Sequence, residues 1–199
     1  PIKIFFIYIW IVSRSSFFTK QFLTCHIISG NLLYIIIMED DNMTLIIHAP
    51  EENYSLENYQ NTKLFMAGGI TGCSDWQSKL IELLKDVPHL TIYNPRRENF
   101  ENAGEKEIES QIVWEYEHLQ KADIISFWFS RETLCPITLY ELGLHGNYGN
   151  AVIGIDPEYK RKKDIEIQSK LAGREGPVVY SLKDLASEII NMIGQNKEF

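Results

Sequence analysis

DIISFWFS, Asp123 to Ser130, is the stretch on which the fold turns. A strand with one face in water alternates apolar and polar residues. This run does not alternate, as expected of a central strand covered on both faces of a parallel sheet. Upstream, Glu105 to Lys121 reads as a helix with a buried stripe of Ile108, Ile112, Tyr116 and Leu119. Before it, LTIYNP (Leu90–Pro95) is a strand halted by Asn-Pro. LFMAGGI (Leu64–Ile70) is another, stopping at a tight Gly-Gly turn. Between them, Ser74-Asp-Trp-Gln opens a helix with a good N-cap, and Trp76, Leu80, Leu83 and Leu84 share its inner face.

Downstream, the loop RETLCP leads into a helix through Glu141 and Leu144. AVIGID (Ala151–Asp156) is the next strand, and RKKDIEIQSKLAG is a surface helix. PVVYS and the terminal helix SLKDLASEIINMI complete the series, and MTLIIHAP adds an edge strand. Strand and helix in alternation predict an α/β fold: an open parallel sheet with helices on both faces.

The chain has 199 residues, 45% hydrophobic and 23% charged, with a formal charge of −8. That length suits one domain with a sizeable core. The acidic balance disfavours nucleic-acid polymers and anionic membranes as partners. Residues 1–38 hold Lys3, Arg14 and Lys20 and no acid, which leaves −11 for the remainder. The N-terminal stretch is rich in Ile and Phe without a helical or strand period, and its longest apolar run is far short of the ~20 residues of a membrane span. Residues 1–42 are therefore read as an extension outside the domain, either a poorly ordered tail or a stretch upstream of a true start at Met38 or Met43, and 43–199 as the single domain. Cys25, Cys73 and Cys135 show no CxxC spacing, which suggests reduced thiols in a cytoplasmic protein. No Cys/His cluster has metal-ligand spacing, so no metal is expected.

In an open α/β sheet, ligands bind beyond the carboxyl ends of the strands. This singles out Gly68, Gly69, Ile70 and Thr71 after the first core strand, Asn94 with Arg96 and Arg97 after the second, and the segment from Ser130 to Glu141 after the third. Glycines there let backbone N–H groups approach a sugar or phosphate, although a plain turn would look the same. GGITG is neither GxGxxG nor a P-loop. Two carboxylates stand out. Glu141 follows a proline-broken loop, where it favours a helix N-terminus or faces a pocket. Glu115 has Val113 and Trp114 as neighbours, and half-burial would raise its pKa; a solvated helix position is the alternative. Trp76, Trp114, Trp128 and Tyr140 offer faces for a flat base, or simply core packing, the favoured reading for Trp128. Arg96 and Arg97 suit a 5′-phosphate or a solvated loop.

FMAGGITG…W, YNPRR, QIVWEYEHLQKADIISFWF and PITLYELG, in that order, resemble the nucleoside 2-deoxyribosyltransferase-like proteins. These are relatives of the nucleoside 2-deoxyribosyltransferases and of the deoxynucleoside 5′-monophosphate N-glycosidases. The resemblance covers roughly residues 62–156, and Trp114 to Gly143 is its most specific part. It implies a flavodoxin-like fold and attack on the sugar's anomeric carbon by the Glu of the ELG element, here Glu141. It also implies an acid eight residues before the Asp of the AD element. That position is Glu115, where the best-studied members carry Asp. It further implies a nucleoside or nucleotide substrate and a homo-oligomer whose sites are completed across subunits, though no closing element is recognisable in 157–199. The expected function is N-glycosidic cleavage or transfer on (deoxy)nucleosides or their 5′-monophosphates. The alternative is a flavodoxin-like module that binds a nucleotide without cleaving it. An electron-transfer flavodoxin is disfavoured because GGITGCS has only Thr71 and Ser74 for a phosphate loop, and no cofactor is expected.

Overall fold

The computed structural model describes residues 44–50, 61–97, 103–146, 149–174 and 176–196, and the backbone of three N-terminal strands. The chain divides into two compact units, Pro1–Met43 and Thr44–Phe199. In the first, β1 (Ile4–Ile11), β2 (Thr19–Ile28) and β3 (Leu32–Met38) form an antiparallel sheet, with Ile4 opposite His26 and Phe22 opposite Met38. The sequence showed no strand period here, yet β-branched and aromatic residues in this density suit extended backbone whatever their order. The side chains of residues 1–42, and the polar loop 98–102, lie outside the described residues.

The second unit is built on β4 (Leu45–His48), β5 (Thr62–Gly68), β6 (Leu90–Asn94), β7 (Ile124–Phe129), β8 (Ala151–Ile155) and β9 (Val178–Val179). All six are parallel, in the order β4-β6-β5-β7-β8-β9. Apart from the edge strand β4, this is the 2-1-3-4-5 order of flavodoxin-like sheets, with the switch point between β5 and β7. Successive strand residues point to opposite faces, which builds two cores. Leu64, Met66, Ile92, Ile124 and Trp128 pack under α1 (Trp76–Leu84) and α5 (Leu182–Asn196). Phe65, Ala67, Tyr93, Ile125 and Phe127 pack with α2 (Glu105–Lys121), α3 (Pro136–His145) and Ile165 of α4 (Lys162–Leu171). Every residue of β7 is buried, as its unbroken apolar run predicted.

Two helix faces differ from expectation. In α1, Leu83 is exposed and the inward positions are Trp76, Gln77, Leu80 and Leu84. In α2, Ile108, Ile112 and Tyr116 are 43%, 59% and 61% exposed, while Gln111, Trp114, His118 and Leu119 are buried. The polar pair is accommodated because it finds partners. His118 Nδ1 lies 2.7 Å from the carbonyl of Trp114 and its ring stacks on that indole at 3.9 Å. Gln111 donates to the carbonyl of Pro95 at 2.8 Å. With the imidazole and the amide nitrogen of Gln111 both paired, the helix can turn its isoleucines toward a cleft.

Candidate functional site

The cleft opens at the carboxyl ends of β5 and β7, beside the switch point, with a volume of about 300 Å³. Its floor is Phe65, Ala67, Gly68 and Gly69 of β5 and its turn, followed by Ile70 and Thr71. Gly68 is required by crowding: a Cβ there would overlap the Trp76 ring and come within 2.8 Å of the Trp128 carbonyl. A Cβ on Gly69 would meet Cys73 Sγ at 2.5 Å and Cys135 Sγ at 2.9 Å. The turn is pinned from outside by Trp76 Nε1, which donates to the Gly69 carbonyl at 2.8 Å.

One wall is the inner end of α2, contributing Ile108, Gln111, Ile112 and Glu115, with Pro95 and Arg97 from the segment after β6. The opposite wall is the start of α3 with the loop before it: Thr133, Cys135, Pro136, Ile137, Thr138 and Glu141. Cys135 precedes Pro136 in the left-handed region, with φ +47°. A non-glycine residue held there stores roughly 1–3 kcal/mol of strain, the kind that packing around a site sustains. Pro136, fixed in φ, then starts the helix, and Glu141 lies one and a half turns along it.

The two carboxyls differ in support. Glu115 Oε1 accepts a hydrogen bond from Gln111 Nε2 at 2.7 Å. Glu141 is 9% exposed and its carboxyl has no hydrogen-bond partner among the described residues. Burial, reinforced by the charge of Glu115, pushes the Glu141 pKa up to about 8. Burial also raises that of Glu115, and the Gln111 amide works against the rise. The pair is thus electrostatically coupled inside one cleft, and a coupled pair titrates as a unit. Such an arrangement can offer one ionised and one protonated carboxyl at neutral pH.

Of the residues singled out in the sequence, Gly68, Gly69, Ile70, Thr71, Glu115 and Glu141 line the cleft together. Four others sit elsewhere. Trp76 is core, 1% exposed, and packs 6.5 Å from Trp128 on the far side of the sheet. Tyr140 is 66% exposed and does not line the cleft, because helical rotation turns it away from its neighbour Glu141. Asn94 is buried one step behind, accepting from Arg96 N–H at 3.1 Å and facing His48 Nδ1 at 3.2 Å. Arg96 is a strut. Its guanidinium donates to Gln77 Oε1 at 2.8 Å and to the Ser74 carbonyl at 3.1 Å, with Asp75 Oδ1 at 3.4 Å. It holds the β5–α1 turn, and the cation in the cleft is Arg97.

The sequence reading missed Gln111, Ile108 and Ile112 as lining residues, and it marked the stretch from Ser130 to Glu141 without naming Thr133, Cys135, Ile137 and Thr138 within it. Gln111 had a legible signal, since it stands four residues before Glu115 and shares its helix face. The isoleucines had a misleading one, because their spacing is also that of a core stripe. Among the described residues there is no cluster of His, Cys, Asp or Glu able to hold a metal ion. No helix among them is long and apolar enough to cross a membrane.

Comparison with known families finds a match to the nucleoside 2-deoxyribosyltransferase-like family over residues 61–159. No curated protein matches the chain. The matched segment runs from the start of β5 to just beyond β8 and holds both cleft carboxyls, the glycine turn and Arg97. Through residues 61–159 the chain belongs to the nucleoside 2-deoxyribosyltransferase-like family.

Proposed function

We propose that this protein cleaves or exchanges the N-glycosidic bond of deoxynucleosides or their 5′-monophosphates, with Glu141 as nucleophile and Glu115 as its acid–base partner. The observation that carries the reading is the coupling of a buried and a half-buried carboxyl in one cleft at the switch point, the buried one without a hydrogen-bond partner among the described residues. A nucleophile gains from such isolation, because hydrogen bonds that stabilised its charge would blunt its attack. As the bond to the base lengthens, positive charge grows on the sugar ring, and ionised Glu141 closes on the anomeric carbon to give a glycosyl ester. Glu115 donates a proton to the departing base or holds a sugar hydroxyl. Capture of the ester by a second base makes the protein a transferase; capture by water makes it a hydrolase.

The apolar residues Phe65, Ile70, Ile108, Ile112 and Ile137 supply the surface for a flat base. Arg97, which lines the cleft, would accept a 5′-phosphate. Exposed Ile108, Ile112 and Ile137 in the cleft lining support a homo-oligomer that covers it, which sedimentation of the purified protein tests. The reaction is tested by incubating the protein with deoxynucleosides and their monophosphates, with and without a second free base. Base exchange or base release supports the proposal, and Glu141→Ala should abolish it. Binding without turnover would identify a nucleotide-binding module instead.

A further inference from the structure

Gln111 is a costly residue where it stands. It is 5% exposed on α2, and its Oε1 is buried with no hydrogen-bond partner among the described residues. A buried acceptor left unmade opposes folding, and an apolar side chain of the same length would avoid that penalty. The other end of the amide is fully engaged. Nε2 donates one proton to the Pro95 carbonyl at 2.8 Å and the other to Glu115 Oε1 at 2.7 Å. The Pro95 carbonyl can only accept, which fixes the amide with Nε2 toward Pro95 and Glu115. Pro95 follows β6 directly, so the amide is anchored to the end of the sheet and not merely to its own helix.

We propose that Gln111 is a positioning residue that makes the two carboxyls unequal, anchoring the pair's negative charge on Glu115 in the empty cleft and leaving the shared proton on Glu141. The inference rests on the functional reading above for its significance, but its physical content is independent of turnover. A hydrogen bond from a neutral donor favours the ionised carboxylate, and of the two acids only Glu115 receives one among the described residues. Burial opposes charge on both carboxyls and the charge of Glu115 opposes ionisation of Glu141, so the unsupported one keeps the proton. The other groups facing the pair are Arg97 from the β6 side and the Cys135 thiol ahead of α3. The thiol is neutral, its pKa raised by burial, and Arg97 contributes the cation of the cleft lining.

Two consequences follow. Because Oε1 of Glu115 is taken by the amide, any proton that Glu115 carries during reaction sits on Oε2, which fixes the atom from which a leaving base is protonated. The empty site also holds its proton on the wrong partner for attack. The proton must pass from Glu141 to Glu115, directly or through substrate or water, before the glycosyl ester forms, with no net gain or loss. Substrate binding drives this transfer when the developing positive charge at the anomeric carbon favours ionised Glu141 over ionised Glu115.

The experiment is a ¹³C NMR titration of the full-length protein labelled at glutamate carboxyls, with the two resonances assigned by Glu115→Gln and Glu141→Gln. In the wild type, the resonance lost in Glu141→Gln should titrate at the higher pH. In Gln111→Met, which keeps length but not the donor, the Glu115 resonance should move to higher pH and the gap between the two should narrow or invert. Thermal melting of Gln111→Met within a few degrees of the wild type, with native near-ultraviolet dichroism, shows the fold is kept. If Gln111→Met does not fold, Gln111→Asn, which shortens the reach to Glu115, replaces it with the same expected direction. Unchanged titrations in a folded variant would overturn the proposal, as would a wild type in which Glu115 titrates above Glu141. Where turnover is found, Gln111→Met should lower kcat/KM by roughly 10- to 100-fold and shift the pH profile. A titration shift in a protein with no turnover would preserve the role of Gln111 and defeat the glycosyl-transfer reading, so the two failures are distinguishable.

Discussion

Replacing Glu141 by Gln should change how stability depends on pH. The carboxyl ordinarily titrates at 4.5 and in the folded protein is pushed up to about 8, chiefly by burial. Between those values the unfolded chain has released its proton while the folded chain still holds one. The raised pKa therefore contributes stability fully present below about pH 4.5 and lost as pH climbs through about 8. Each unit in that window removes about 1.4 kcal/mol, so the whole window has a ceiling of about 5 kcal/mol. Coupling to Glu115 spreads the loss over the pair without changing its sign, since that acid is raised as well. Glutamine is neutral at every pH and close in shape to protonated glutamic acid. Urea unfolding at pH 5, 6, 7 and 8, followed by tryptophan fluorescence, gives the test. Glu141→Gln should match or slightly exceed the wild type at pH 5 and exceed it by several kcal/mol at pH 8. Parallel stability curves for the two proteins would show that Glu141 is not held protonated by burial, and the electrostatic account of the cleft would fail.

Gly68→Ala should destabilise the fold by about 1–3 kcal/mol, because the new methyl overlaps the Trp76 ring and presses on the Trp128 carbonyl; a lowered Tm checks it. The two adjacent arginines should separate cleanly. Arg96→Ala should lower Tm by loosening the β5–α1 turn without altering the preference between nucleoside and monophosphate, whereas Arg97→Ala should lower kcat/KM for the monophosphate alone, by roughly 10- to 100-fold. A chain beginning at Met43 should fold and keep its activity, since Thr44–Phe199 is a compact unit; an insoluble product would show that the N-terminal strands are needed.

The sheet was legible because its strands announce themselves by what they lack. β7 and β8 carry almost no polar residue, which only a doubly covered strand tolerates, and Gly-Gly and Asn-Pro mark where β5 and β6 stop. The rotation of α2 was not legible. Ile108, Ile112 and Tyr116 on one face and Gln111, Trp114 and His118 on another both repeat at helical spacing, and hydropathy favours the first. What decides the matter is the Pro95 carbonyl waiting for Gln111 and the Tyr93 ring waiting for His118, contacts made across 16 or more residues of chain. Arg96 and Arg97 pose the same difficulty: side by side in sequence, they face a turn and a cleft, and only the tertiary partners of Arg96 tell them apart. Glu141 and Glu115 were found by resemblance and by their apolar neighbourhoods. Their difference in support was invisible until the amide of Gln111 was seen beside one of them.

The central claim is that Glu141 bonds to the sugar, and mass spectrometry of the denatured protein tests it most directly. The protein is mixed with a deoxynucleoside or its monophosphate, quenched in acid within the first turnover and digested. The account predicts a peptide containing Glu141 that carries one added deoxyribosyl group, or its 5′-phosphate, absent from Glu141→Ala and discharged when a second base is supplied. Base release with no adduct, and undiminished in Glu141→Ala, would contradict it.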